Sequence, residues 1–242
     1  MDLLVRDVTV GIRDGRFQRA LFQCSLRVEG PRTIALVGEN GVGKTTFLRI
    51  LAGFAAPLDG SITINGVTPS KFREGNALGL LPERLSLPES LSGYDFLRKV
   101  SLAGVINGRV SPAAMEDSIA DAAVRGGVDF PLTKRIATLS NGMRQRLSLA
   151  ASMLPLPVLL LLDEPESGLD PVQRANLRTR IKTMEKDGTT VIVSSHDISG
   201  VCLTASELWL IHRERLTSID ISQCESLTDV MSRLPNEWRA SL

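Results

Sequence analysis

A chain of 242 residues that is 43% apolar and 23% charged has the make-up of a folded globular protein, with room for one large domain or a domain carrying a small lobe. Its formal net charge of +1 gives no overall basic footprint for nucleic acid or an anionic membrane surface. Charges interrupt the apolar residues directly after Met1, so no signal-peptide layout is expected, and the longest apolar run, Val158–Leu162, is too short to span a bilayer. Cys24, Cys202 and Cys224 are odd in number and scattered without a C-x-x-C pair, and they read as reduced thiols of a cytosolic protein.

The first 37 residues read as strands. Leu3-Leu4-Val5, Val8-Thr9-Val10 and Leu21–Val28 are β-prone, with turns expected at Gly11–Gly15 and at Glu29-Gly30-Pro31. Thr33–Val37 predicts a buried strand, and Thr46–Ala52 a helix on which Phe47, Ile50 and Leu51 share a face. Residues 60–66 predict a short strand closed by an Asn65-Gly66 turn, and residues 77–81 a further buried strand before Pro82. From there to about residue 152 the pattern is helical. Gly93–Val105 is amphipathic, Ser111 caps a helix that opens on Pro112 and runs to about Val124, and Asn141–Met153 forms another. Strands at 158–162, 189–194 and 207–211 then alternate with helices at 171–186 and 197–205. That alternation implies a parallel sheet with crossover helices, into which the helical middle is inserted as a lobe. The stretch from about Ser218 to Leu242 is too weakly patterned to assign.

Between the strand at 33–37 and the helix at 46–52 lies Gly38-Glu39-Asn40-Gly41-Val42-Gly43-Lys44-Thr45-Thr46, which matches G-x-x-x-x-G-K-[ST]. Glycines let backbone N–H groups turn inward around phosphates, and the helix N-terminus adds partial positive charge. Lys44 is placed to reach β- and γ-phosphates and the Thr45 hydroxyl to ligate Mg²⁺, so a nucleoside triphosphate is the expected ligand. Val158–Leu162 ends in Asp163 and Glu164. Asp163 suits a Mg²⁺ water shell, and Glu164 is either a base for an attacking water or a solvent-facing acid at a strand end. Ser140-Asn141-Gly142 opens a helix, where it reads as an N-cap; a capping serine with exposed N–H groups can also grip an anion, a role that only a family resemblance can assign. His196, at a strand end, is by itself a cap or a solvated residue.

Taken together, from about residue 3 to 216, these motifs resemble the nucleotide-binding subunit of an ATP-binding cassette (ABC) transporter. The family signature Leu-Ser-Gly-Gly-Gln falls on Leu139–Met143, the acidic strand end on Asp163-Glu164-Pro165, the following D-loop on Ser167-Gly168-Leu169-Asp170, and the switch histidine on His196. The resemblance implies an α/β fold: a phosphate-loop core (1–83 and 153–217) with a mainly parallel sheet and an N-terminal antiparallel portion, a helical signature subdomain (84–152), and a C-terminal tail (218–242). It implies ATP and Mg²⁺ as ligands. ATP would be held between Gly38–Thr46 of one cassette and Ser140, Asn141 and Gly142 of a second, with His196 on the γ-phosphate and Asp170 communicating across the interface. It also implies hydrolysis with Glu164 as base, a transmembrane permease on a separate chain, no nucleic-acid partner, and a place on the cytoplasmic face of the membrane.

The chain departs from the family at Asn141, at Met143, and at Glu83, which stands where relatives carry a glutamine. A carboxylate there can still offer an oxygen to Mg²⁺ but adds negative charge beside a triphosphate; the alternative is a surface acid beside Arg84. Phe17 reads either as an adenine-stacking aromatic or as a core residue. The short tail and the Leu-Pro-Glu and Gly-Met-Arg-Gln-Arg phrasing resemble exporter-type subunits. A soluble cassette of the cluster-assembly type and a regulatory cassette with weak hydrolysis are the alternatives.

Overall fold

The computed structural model describes the chain except residues 16, 76, 85, 107, 109, 155, 199, 201–203 and 236–242. Nine strands form one sheet: β1 (Asp2–Asp14), β2 (Phe17–Glu29), β3 (Thr33–Val37), β4 (Asp59–Ile64), β5 (Leu78–Leu81), β6 (Leu159–Leu162), β7 (Thr190–Ser195), β8 (Glu207–His212) and β9 (Arg215–Asp220). Their spatial order is β4-β1-β2-β9-β8-β3-β7-β6-β5. The half made of β8, β3, β7, β6 and β5 is parallel, and its strands are almost wholly buried, as strands covered on both faces must be. β4, β1 and β2 pair antiparallel, and β9 joins the halves, antiparallel to β8 and parallel to β2. The expected mainly parallel sheet with an antiparallel N-terminal portion is thus a single curved layer.

The helix α1 (Lys44–Leu51) buries Phe47, Leu48, Ile50 and Leu51 against this sheet. Phe47 stacks edge-on to Phe22 at 5.6 Å and tilts against Trp209 at 6.0 Å, between ring centroids. Each such side chain contributes about 1.5–3 kcal/mol when fully buried, so the helix that follows the glycine loop is held rigidly on strands β2 and β8. The opposite face of the parallel half is covered by the helix α6 (Pro171–Lys186) through Leu177, Ile181 and Met184.

The helical middle builds its own apolar cluster. The helices α3 (Gly93–Ile106), α4 (Met115–Gly126) and α5 (Asn141–Ser152) enclose Leu97, Ile119, Ala122, Ile136, Leu147 and Ala150. Ser111 caps as expected, accepting from the Ala114 N–H at 3.1 Å, but its first product is a 3₁₀ turn over Pro112–Ala114, and α4 begins only at Met115. Among the described residues no helix is long and apolar enough to cross a membrane.

Three local expectations are corrected. No turn interrupts the chain at Gly11; β1 runs on to Asp14 through two bulges, and Gly11 is a close-approach residue, since a Cβ there would lie 2.4 Å from the Arg19 carbonyl. A short helix, α2 (Pro69–Glu74), with Pro at its first turn, went unread. The stretch left unassigned from about Ser218 contains the end of β9 and a helix at Leu227–Arg233 opened by a capping box of Ser226 and Asp229, while its residues 236–242 lie outside the described residues. The expected helix at 197–205 lies partly outside the described residues.

Candidate nucleotide site

The glycine loop leaves the buried end of β3 and enters α1 through Gly43, which sits at φ 113. Only glycine serves there: the conformation is left-handed, and a Cβ would come within 2.9 Å of Leu21 and 3.2 Å of Phe22. Lys44, the first residue of α1, is 7% exposed. Its ammonium folds back over the loop, donating to the carbonyls of Gly38 at 2.8 Å and Glu39 at 3.3 Å. The same ammonium lies 3.3 Å from Glu164 Oε1. That contact is an ion pair without hydrogen-bond alignment, because Oε1 is buried and accepts no hydrogen bond.

Sequence places Asp163 and Glu164 side by side, and the structure separates their roles. Asp163 is buried at the end of β6, and its Oδ1 accepts from the Ser194 hydroxyl at 2.6 Å. The Ser194 oxygen in turn accepts from the Glu164 backbone N–H at 2.9 Å. One hydroxyl on β7 therefore fixes both acids that follow β6. Glu164 itself has φ 46, a left-handed conformation that costs a non-glycine residue about 1–3 kcal/mol. The bend turns its carboxylate toward the glycine loop rather than along the strand. Glu164 Oε2 lies 3.0 Å from His196 Nδ1. An ionised carboxylate only accepts, so Nδ1 carries the proton in this contact and a neutral ring keeps Nε2 as an acceptor. Donating to a phosphate oxygen as well requires a second ring proton or release of Glu164.

A cleft of about 410 Å³ gathers Asn40, Gly41, Gly43, Lys44, Thr45 and Thr46 with Glu83, Glu164 and His196. Its apolar lining comes from Ile12 and Leu21. Phe17 belongs neither there nor in the core: it is 66% exposed, opposite Asp14 at the hairpin end. The core reading fails because strand alternation puts Phe22, not Phe17, on the inward face. Glu83 is exposed and lines both this cleft and an adjoining one that also holds Asn141 and Asp163.

The signature residues lie apart. Ser140 caps α5, its hydroxyl accepting from the Met143 N–H at 3.3 Å, and Ser140 and Asn141 are exposed. Asp170 caps α6, accepting from the Gln173 N–H at 2.8 Å. A Cβ on Gly142 would meet the Gln173 amide at 3.0 Å, so the two helix starts are neighbours. Gln145 on α5 donates to the Pro165 carbonyl, tying the lobe to the loop after Glu164.

Sequence reading missed Ser194 and a second brace. Arg178 on α6 forks onto Glu166 at 2.6 and 2.7 Å, and this fork, reinforced by Asp197, raises the guanidinium pKa above its ordinary value. The available signal was a serine pair closing an apolar strand and an Arg–Glu pair near the acidic motif.

Comparison with known proteins supplies the family. Residues 21–167 match the model of the ABC transporter family. Over 193 residues the chain is 32% identical to the lantibiotic transport ATP-binding protein SrtF of Streptococcus pyogenes, covering 79% of this chain and 80% of that one. It is 32% identical over 209 residues to the thiamine import ATP-binding protein ThiQ of Aliivibrio fischeri, covering 84% and 86%. The fold matches the dimeric bacterial ABC transporter cassette MJ0796 with a TM-score of 0.78 at 20% identity, over 90% of this chain and 98% of that one. With a phosphate loop, an acidic strand end and a histidine gathered at one cleft, the chain belongs to the ABC transporter family, as an ATP-binding subunit with ATPase activity.

Proposed function

We propose that this chain drives a transporter whose membrane pathway is a permease on a separate chain, and that it works as a head-to-tail pair of cassettes on the cytoplasmic face of the membrane. The observation carrying the pairing is a division within one chain. Lys44, Glu164 and His196 converge on a single cleft, whereas Ser140 and Asn141 stand exposed at the start of α5. An anion grip that lies outside its own phosphate-loop cleft is suited to another copy's nucleotide.

Hydrolysis on this reading is attack of water on the γ-phosphorus, which breaks its bond to the β–γ bridging oxygen and releases ADP and phosphate. Lys44 leaves the Gly38 and Glu39 carbonyls for the phosphate oxygens, which frees the buried Glu164 carboxylate to take the proton from water. His196 orients Glu164 through Nδ1–H, and it would donate to the same phosphate through Nε2 only with a second ring proton. Mg²⁺ fits the donor set: the Thr45 hydroxyl, Asp163 and Glu83 offer hard oxygens, and no three-residue cage of acids, histidines or cysteines exists among the described residues. That suits an ion that keeps its waters and binds mainly through phosphate. When bound, the ion would neutralise charge on the transferring phosphoryl group. Residues 84–152 act as the subdomain that relays the nucleotide state.

Export is the proposed direction, supported by the exporter-like phrasing around Glu83 and Arg144 and by the lantibiotic transport relative, with the thiamine import relative on the other side. The test is purification of the tagged chain from membranes. Recovery of a membrane-spanning permease, with ATP-dependent efflux after joint reconstitution into vesicles, is the expected result. Recovery of soluble cluster-assembly proteins instead would overturn it.

A further inference from the structure

A second cavity lies away from the phosphate cleft, where α4 and α5 of the helical cluster meet α6 of the core. Its volume is about 60 Å³, enough for several water molecules at roughly 10–15 Å³ each. One wall is apolar, made by Leu81, Leu149, Leu169 and Leu177. The other carries two guanidinium groups, Arg146 from α5 and Arg180 from α6.

The charges on that wall do not balance. Asp129 is the single acid lining the cavity; it accepts from Arg146 Nη2 at 2.9 Å, and its side chain is 72% exposed, so water screens most of its field. Arg146 Nε is buried and has no hydrogen-bond partner among the described residues. Arg180 makes no hydrogen bond or ion pair among the described residues. Its guanidinium lies flat against Gly127 at the C-cap of α4, where a Cβ would come within 2.0 Å of Cζ. Burial, with the like charge of Arg146 adding to it, holds the Arg180 pKa below its ordinary value. Two partly desolvated cations, one with an orphaned N–H, and a leucine wall are the two halves of one recognition surface.

We propose that this cavity binds a small organic monoanion, its carboxylate set between Arg146 and Arg180 and its short apolar body against the leucines. Each half excludes a simpler ligand. A hydrated, doubly charged oxyanion satisfies the guanidinium groups but cannot be desolvated against leucine, and a neutral alcohol fills the apolar half while leaving the Arg146 N–H unpaired. The occupant would bridge α5, which starts in the signature, and α6, which Asp170 caps. It would fasten the helical cluster to the core at the point where the two helix starts meet.

Calorimetric titration of the whole chain with sodium butyrate tests this, with sodium sulfate and 1-butanol as the anion without a body and the body without an anion. The expected result is saturable one-site binding of butyrate alone, weakened roughly tenfold or more in Arg180→Gln, the loss typical of one charge-assisted contact. Because Arg180 makes no hydrogen bond or ion pair among the described residues, and feels Asp129 only at longer range, that variant should fold as the wild type does. Arg180→Lys, which keeps the charge but not the planar fork, should fall between the two. The proposal is overturned if butyrate does not saturate, if sulfate or butanol binds as tightly, or if Arg180→Gln keeps wild-type affinity.

Discussion

The phosphate cleft and the signature segment both end in a helix N-terminus facing solvent, yet they are built differently. At the cleft the charged side chains at the loop and strand end are braced: Lys44 by two backbone carbonyls and Glu164, Glu164 by His196, Asp163 by Ser194. At the signature, the Ser140 side chain makes only its cap among the described residues, and its neighbour Asn141 faces water. The difference teaches which half carries the chemistry. On the proposed reading, the preorganised cleft is the part that stabilises the transition state, and the exposed signature is the part that lets go of its ligand each cycle.

The largest effect that sharpens this contrast is at Glu164. Glu164→Gln keeps shape and a hydrogen bond but cannot take a proton, so single-turnover hydrolysis should fall by roughly a hundredfold or more while ATP still binds. Unchanged turnover would move the base elsewhere. Next, Lys44→Ala removes the ammonium that closes over the loop, and ATP affinity measured by nucleotide titration should drop by at least roughly tenfold. Wild-type affinity would mean that Lys44 never leaves the Gly38 carbonyl.

The third prediction tries to break the contrast directly. Gly142→Asp puts a like charge where a partner's phosphate would sit, with the flexible Gln173 amide able to move aside. ATPase assays should find each of Gly142→Asp and Lys44→Ala inactive alone, and their mixture active. Only the mixed pair contains one intact loop facing one intact signature. A mixture as dead as its parts would confine function to a single chain. The smallest effect is at Glu83. Its carboxylate beside the triphosphate should make ATP affinity depend more steeply on Mg²⁺ than in Glu83→Gln, a change of a few-fold read by titration with and without the metal. Equal dependence would leave Glu83 a surface acid.

Much of the site was legible because its motifs are local. The glycine loop, the Val158–Glu164 strand end and the Ser140 cap each carry their meaning within a few residues, and the structure places them at the ends of β3 and β6 and the start of α5. What escaped reading depends on distant partners. β9 has no apolar run of its own and exists because β8 and β2 flank it, with Leu216 as its buried anchor. Ser194 looks like any strand serine until β6 and β7 pair and set its hydroxyl between two acids. Gly11 mimicked a turn because local signals cannot show that Arg19 and Leu58 crowd it from across the sheet.

Trp209 gives the molecule an optical reporter of its own. The indole is fully shielded, its N–H donates to Glu207 at 2.7 Å, and its ring touches Phe47 on the helix that carries Lys44. Emission from such a ring is blue-shifted and insensitive to dissolved quenchers, yet responsive to small displacements of the neighbouring ring. The chain contains one other tryptophan, Trp238, outside the described residues. With Trp238→Phe, the fluorescence of a single chromophore would follow the seating of α1 in real time, with no label attached near the glycine loop.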